Sequence, residues 1–253
     1  DYIVRQTVGR LVEGKSPRQL RGTGGRGERA GRGDHTGSPL RILDMACGSG
    51  SFLLGAYQYL LDHYRRWYEE NEPVKHAGGK QPAVYQGPKG DWRLTSAEKK
   101  RILLDHIYGV DIDRQAVEVT KLSLLLKVLE GETQETLGQQ LTLWRERALP
   151  DLANNVKCGN SLIGPDYFQG RLMPDEEEMR RVNPFDWARE FSEVMTAGGF
   201  DAVIGNPPYV RPHRIEPWEK DYFWQHYSTF VKKSDLYCCF IERAISSRQL
   251  SGM

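Results

Sequence analysis

The sequence has few residues that could hold a fold together through disulfides or a metal ion. Of its 253 residues only four are cysteines, and none of them forms a C-x-x-C pair: Cys47, Cys158, Cys238 and Cys239. This spacing argues against a disulfide framework and is typical of a reducing compartment. The six histidines are scattered, without the spacing of metal ligands. We therefore expect neither a disulfide scaffold nor a metal centre.

The sequence also has no long apolar run and almost no net charge. No segment is long and apolar enough to cross a bilayer, and none has the pattern of a signal peptide, so we expect no membrane partner. With a net charge of only +1, any contact with nucleic acid must use a local patch. The length suits one large α/β domain or two small ones. Both ends fall at amphipathic helical patterns, over 2–13 and 235–247, which indicates a piece of a longer protein.

The most unusual local pattern follows a short apolar run, 202–204, which predicts a buried strand. Beyond Gly205 come four residues that suggest a binding site: Asn206, Pro207, Pro208 and Tyr209. The two prolines remove backbone donors and leave nearby carbonyl groups without a ladder to join. An amide oxygen, a free carbonyl and an aromatic ring suit a planar ligand that carries an amino group. Taken alone, the same residues could equally form a surface turn or a polyproline ligand.

Two strand–turn–helix units precede this stretch. The first is a buried strand over 40–46, a turn containing Gly48 and Gly50, and a helix over 52–68. Its glycines allow a ligand to approach the backbone, and the helix N-terminus favours a negative group. The turn has neither the dinucleotide spacing G-x-G-x-x-G nor the lysine of a phosphate-binding loop.

The second unit has an acidic tip. A strand over 107–113 leads into a helix over 115–129. An acid at the end of the second strand, here Asp111, can bind both hydroxyls of a ribose. Asp113 directly precedes the helix and is predicted to be its N-cap.

Several other segments leave alternatives open. Residues 14–38 form a Gly/Arg-rich loop, predicted to be a solvated linker, although its arginines could contact phosphates. Residues 70–98 and 170–199 are predicted insertions, and 131–150 a charged helical segment. Aromatic and basic residues alternate over 210–233 and could hold unstacked nucleic acid, but core packing explains at least half of the aromatics equally well. A short strand over 156–162 ends in a polar turn.

The order of four motifs resembles the adenine-specific DNA methyltransferases, most closely the Eco57I-like and TaqI-like enzymes of restriction–modification and related phage-defence systems. The matching stretches are 44–52, 109–113, 158–162 and 206–209. Residues 1–4 resemble the tail of the first family motif, and 235–242 the motif that follows the catalytic one. Met45 replaces a common proline, Asn160 an aspartate of some members, and the Gly/Arg-rich loop is long. The later motifs and a target-recognition domain are missing.

The resemblance implies a class I methyltransferase fold, a Rossmann-like three-layer α/β sandwich with a mostly parallel sheet. Residues 1–253 would then be a fragment of the catalytic domain of a prokaryotic, cytoplasmic enzyme. The implied cofactor is S-adenosylmethionine, and the implied partner is double-stranded DNA with a flipped adenine. A nuclease and a target-recognition domain could be fused or separate partners.

The resemblance also assigns residues. The catalytic ones are Asn206, Pro207, Pro208 and Tyr209. The cofactor-binding ones are Asp44, Ala46, Cys47, Gly48, Gly50, Phe52, Asp111, Ile112, Asn160 and Ser161. We expect the four polar strand-end residues to line one cleft at the carboxyl edge of the sheet: Asp44, Asp111, Asn160 and Asn206. Two alternatives remain: a methyltransferase that acts on RNA bases or a protein glutamine, and an inactive DNA-binding scaffold.

Overall fold

The computed structural model describes residues 2–22, 38–132, 149–170 and 175–249. Six strands, numbered in chain order, lie in this part of the chain: β1 Ile42–Asp44, β2 Val84–Gln86, β3 Trp92–Leu94, β4 Ile107–Asp111, β5 Val156–Cys158 and β6 Ala202–Val203. Four of them form one parallel sheet in the order β5-β4-β1-β6, and β2 and β3 form an antiparallel hairpin. Parallel neighbours require long crossovers, and helices supply most of these connections.

Side chains that alternate along the strands build two separate cores. On one face, Ile42 and Ile107 pack with residues of three helices: Ser51–Glu70, Ser96–His106 and Arg114–Leu129. On the other face, Leu43 and Val110 pack with Trp187 and its aromatic neighbours. The sheet therefore lies between two helical layers, and the predicted α/β fold with a parallel sheet is confirmed.

The other helices are shorter, apart from the last one. They are Tyr2–Val4 and Arg10–Val12, joined by the π-helical turn Arg5–Gly9, then Pro17–Leu20, Pro73–His76, Glu176–Val182, Trp187–Glu190, Ser192–Thr196, Pro217–His226 and Tyr237–Gln249. Two 3₁₀ turns are Pro165–Phe168 and Pro212–Arg214. No helix in the described residues is long and apolar enough to cross a membrane.

Two segments predicted to be loops or insertions contribute to the core instead. Within 14–38, residues Pro17–Leu20 form a helix with a capping box at Ser16, and Leu20 is buried, so the loop prediction is wrong there. Within 170–199, Phe191 and Val194 are buried against the sheet. Their aromatic and branched side chains form part of the second core, which is why this segment is integral to the fold.

Residues 70–98 carry the hairpin β2–β3, which buries Val84 and Leu94 against the first core. The helix Ser96–His106, which follows this hairpin, begins where Thr95 accepts a hydrogen bond from the backbone N–H of Glu98. Much of the predicted charged helix, 133–148, lies outside the described residues, as does 23–37 of the Gly/Arg-rich loop.

Candidate active site

Four polar residues lie at the same edge of the sheet because all four strands are parallel. Asp44 ends β1, Asp111 ends β4, Asn160 lies two residues beyond β5, and Asn206 lies three residues beyond β6. The order of the strands reverses between β1 and β6. In open α/β sheets such a switch point is where ligands bind.

The turn after β1 is held from two sides. The backbone N–H of Cys47 donates to the Val110 carbonyl at 3.0 Å, and the Thr120 hydroxyl donates to the Gly48 carbonyl at 2.7 Å. Gly50 has a φ of +82°, and a Cβ there would come within 2.8 Å of the Thr120 side chain, so only glycine fits. A Cβ on Gly48 would meet nothing within 4 Å, which leaves that side of the turn open to a ligand.

Asp111 ties the glycine turn to β4. Its Oδ2 atom accepts a hydrogen bond from Gly48 N at 2.7 Å, and its Oδ1 atom accepts one from Asp113 N at 2.9 Å. Each oxygen has a second lone pair, so the carboxylate can accept two further hydrogen bonds. Asp113 accepts a hydrogen bond from Gln115 N at 2.8 Å, which confirms it as the N-cap of the following helix.

Asp44 is a buried carboxyl group at the centre of the edge. It is 2% exposed, and its Oδ1 atom accepts a hydrogen bond from Ala46 N at 3.0 Å. Burial raises the pKa of Asp44 to about 7, and the negative charge of Asp111 acts in the same direction. A cationic group bound here would lower that pKa again by favouring the ionised form.

The four residues after Gly205 extend from the end of β6 towards solvent. Gly205 has a φ of +147°, and a Cβ there would come within 2.5 Å of Asp44 Oδ1, so glycine allows β6 to end directly against that carboxyl group. Asn206 and Pro208 are exposed and Pro207 is half-buried. The Tyr209 side chain is 73% exposed. Among the described residues, no hydrogen-bond partner occupies the Asn206 amide, so it is available to a ligand.

A second segment braces this loop, which the sequence did not predict. Val210 N donates to Asp235 Oδ1 at 2.9 Å, and Leu236 N donates to the Val210 carbonyl at 3.0 Å. The rings of Tyr209 and Tyr237 lie 5.7 Å apart, centroid to centroid, at an angle of 51°. The only available sequence signal was the resemblance of 235–242 to a family motif.

A mostly apolar cavity of about 300 Å³ opens at the switch point. The ends of β1 and β6 form one wall and the helix Tyr237–Gln249 the other, with Asp44, Ala46, Gly205, Pro207, Phe240 and Ala244 in the lining. Its position connects the turn after β1 with the Asn206 loop.

The remaining predicted site residues differ in what they could offer a ligand. Ile112 is 52% exposed beside Asp111. Cys47 is buried, which raises the pKa of its thiol to about 12, so only its backbone can face a ligand. The hydroxyl of Ser161 donates to the Met45 carbonyl. The amide oxygen of Asn160 accepts from Leu162 N at 3.1 Å, and Phe52 is half-buried against the first core.

The fold is that of a Rossmann-like methyltransferase domain. The chain belongs to the Eco57I restriction-modification methylase family, whose model matches residues 105–253. In the described residues, no group of three histidine, cysteine, aspartate or glutamate side chains could hold a metal ion.

Known proteins similar to the chain are much longer than it. The type II restriction enzyme and methyltransferase RM.Eco57I of Escherichia coli is 32% identical over 246 residues, which cover 96% of this chain and 20% of the relative. The adenine-specific methyltransferase PglX of Streptomyces coelicolor is 29% identical over 177 residues, 68% of this chain and 12% of the relative. A solved structure of the Type ISP restriction-modification enzyme LlaGI, a nuclease-deletion mutant in complex with a DNA substrate mimic, matches 83% of this chain and 14% of its own, with a TM-score of 0.43 and 15% identity.

Proposed function

We propose that the chain transfers the methyl group of S-adenosylmethionine to the exocyclic 6-amino group of adenine in double-stranded DNA, as the modification part of a restriction–modification or related defence system. One observation carries this proposal. The exposed Asn206 amide and Tyr209 ring stand beside an open, acid-lined turn at the switch point of a methyltransferase fold. Similarity to a restriction enzyme and methyltransferase supports the reaction, and similarity to an adenine-specific methyltransferase supports the base. Because the chain spans a fifth or less of the two relatives described above, recognition and nuclease segments are proposed to lie elsewhere.

The residues at the edge fit the cofactor. The open side of Gly48 leaves room for the methionine end, the free lone pairs of Asp111 suit a ribose diol, and exposed Ile112 offers an apolar surface for the adenine ring. Asn160 would contact the edge of that adenine through its amide. When bound, S-adenosylmethionine supplies an electrophilic methyl group on a sulfonium ion.

The catalytic loop would act by orienting the target amine. The 6-amino group of adenine is a poor nucleophile because its lone pair is delocalised into the ring. Hydrogen bonds from this amine to the Asn206 side-chain oxygen and the Pro207 carbonyl would favour a pyramidal nitrogen, whose lone pair then points at the methyl group. The proton becomes acidic as the new bond forms, so no strong base is required before attack. Tyr209 would stack on the base after it leaves the duplex.

A labelled-methyl assay with the full-length protein tests this proposal. With a methyl-labelled cofactor, label should enter duplex DNA at the 6-amino group of adenine, and neither RNA nor protein. Label in RNA or in a glutamine amide would replace the proposed substrate, and cofactor binding without transfer to any of the three would favour the scaffold.

Asn206→Ala tests the chemistry at the loop. It should slow single-turnover methylation by at least about 10²–10³-fold, the usual cost of losing one transition-state partner. Cofactor affinity should stay nearly unchanged, because Asn206 would face the target amine. Tyr209→Phe keeps the stacking ring and serves as the control, with a nearly wild-type rate. A wild-type rate for Asn206→Ala would show that the reaction occurs elsewhere.

A further inference from the structure

The segment 210–233, in which aromatic and basic residues alternate, separates into two groups in the structure. Four of its aromatic side chains are buried in a third core: Tyr222, Phe223, Tyr227 and Phe230. Four of its basic side chains are exposed: Arg211, Arg214, Lys232 and Lys233. The aromatics therefore hold the segment in place, while the bases face solvent.

Hydrogen bonds bring two parts of this segment to the catalytic loop. Val210 is bonded to Asp235 and Leu236, as described above, so Arg211 follows the contact directly. Lys233 lies three residues before Leu236, which places its Cα within roughly 11 Å of that contact, at about 3.6 Å per residue. Arg211 is thus two residues from Tyr209 along the chain, and Lys233 lies near the hydrogen bond that joins Leu236 to Val210.

The two lysines occupy the tip of a closed turn. Ser234 N donates to the Val231 carbonyl at 2.9 Å, and Val231 N donates to Ser234 Oγ at 2.7 Å. The backbone of the turn is therefore already ordered, so a ligand that contacts Lys232 and Lys233 need not fix it on binding.

The charge around this turn is unbalanced. Some surface bases elsewhere in the described chain have a carboxylate within 4 Å: Lys75 with Glu72, Arg93 with Asp91, Lys127 with Glu130, and Arg180 with Glu176. No carboxylate of the described residues forms such a pair with Arg211, Lys232 or Lys233. Residues 206–215 and 222–234 contain no aspartate or glutamate at all. Two carboxylates do border these residues: Asp235 accepts hydrogen bonds from Val210 N and Tyr237 N, and Glu242 accepts from Ser228 and Thr229. Neither forms an ion pair with the three bases, so a protein with a net charge of +1 has a cluster of unpaired positive charges beside its candidate catalytic loop.

We propose that Arg211, Lys232 and Lys233, here called the basic rim, bind the phosphodiester backbone of the DNA strand that carries the target base. This inference rests on the proposed function and adds a substrate-binding subsite to it. A base that leaves the duplex to reach Tyr209 brings its flanking phosphates to the rim of the cleft. Fixed cations at that rim favour the approach of the strand and release its counterions on binding.

Salt dependence of DNA binding by the full-length protein tests the basic rim. Each phosphate contact contributes about −0.9 to the slope of log K against log salt, so replacing two lysines should make the slope shallower by about 1.8. The wild-type protein should then lose roughly tenfold more affinity than Lys232→Gln/Lys233→Gln between about 50 and 200 mM salt. Lys80→Gln/Lys89→Gln removes two exposed lysines near the hairpin β2–β3 and should leave the slope unchanged.

The methylation assay separates the two proposals. A rim variant that raises KM for DNA more than it lowers kcat supports the subsite. If the wild-type protein binds and methylates DNA but the rim variant keeps the wild-type slope, the basic rim is wrong and the proposed function stands. If the wild-type protein neither binds nor methylates DNA, both are wrong.

Discussion

Asp235→Ala should slow methyl transfer without touching the cofactor cleft. The carboxylate of Asp235 accepts hydrogen bonds from Val210 N at 2.9 Å and from Tyr237 N at 3.3 Å. The first bond holds the end of the candidate catalytic loop, and the second orients the ring that packs on Tyr209. No aspartate oxygen remains in the variant, so both backbone groups lose their partner and the loop loses its brace.

The expected size follows from these two bonds. A hydrogen bond to a charged acceptor contributes about 1.5–3 kcal/mol, and the bond at 3.3 Å lies at the weak end. We expect the loss of both bonds to destabilise the braced conformation of the loop by about 2 kcal/mol, relative to conformations in which the loop is detached from Asp235. At about 1.4 kcal/mol per factor of ten, single-turnover methylation should slow roughly 30-fold. Cofactor affinity should change little, because Asp235 contacts neither the turn after β1 nor Asp111.

Asp235→Asn separates the acceptor from the charge. Asparagine keeps a side-chain oxygen that can accept from Val210 N, so it should recover most of the lost rate. Asp221→Ala removes an exposed aspartate from the helix Pro217–His226 and should have a wild-type rate. The reasoning fails if Asp235→Ala is as fast as wild type, or if Asp235→Asn is as slow as Asp235→Ala.

Two further predictions concern the cofactor cleft and the core. Asp111→Ala should weaken S-adenosylmethionine binding roughly ten- to hundredfold, since charge-assisted bonds contribute about 1–3 kcal/mol; calorimetry measures this, and an unchanged dissociation constant contradicts the role. Burial lowers the pKa of His106 to about 4, and the neutral ring is held by Tyr64 and by the Leu40 carbonyl, both at 2.7 Å. The histidine of the unfolded chain takes up its proton near pH 6.5. The contribution of neutral His106 to the free energy of unfolding is therefore complete above that pH and is lost as the pH falls towards about 4. Denaturant titrations across this window should show the decline, and His106→Gln should flatten it; an equally steep decline in the variant would assign it to other groups.

Local patterns predicted most of the strands and their ends. The apolar runs before Asp44 and Asp111 are short, strongly hydrophobic and followed by turn residues, so their ends could be placed from the sequence. The N-cap at Asp113 was predictable for the same reason, because a cap depends only on the residues that follow it. The helix at Pro17–Leu20 was missed because glycines and arginines surround it, although Ser16 and Pro17 are a helix start.

The segment 170–199 shows that composition alone does not predict which residues enter the core. Its polar and acidic residues dominate the composition, and the aromatic residues among them gave no helical or strand period. Phe191 and Val194 belong to the core because they bury the apolar side chains on the second face of the sheet. The composition of 170–199 could not predict this burial, since the apolar side chains that it covers belong to β1 and β4.

The sequence by itself determined the order of the motifs, the strand ends that carry Asp44, Asp111 and Asn206, and the family that this order indicates. Each of these depends on neighbouring residues, so a linear pattern records it. Only the tertiary structure decided that Gly205 lies against Asp44 and that Asp235 holds Val210. Such contacts join distant parts of the chain, and they form because strand pairing and packed helices fix where those parts meet, which no local pattern encodes.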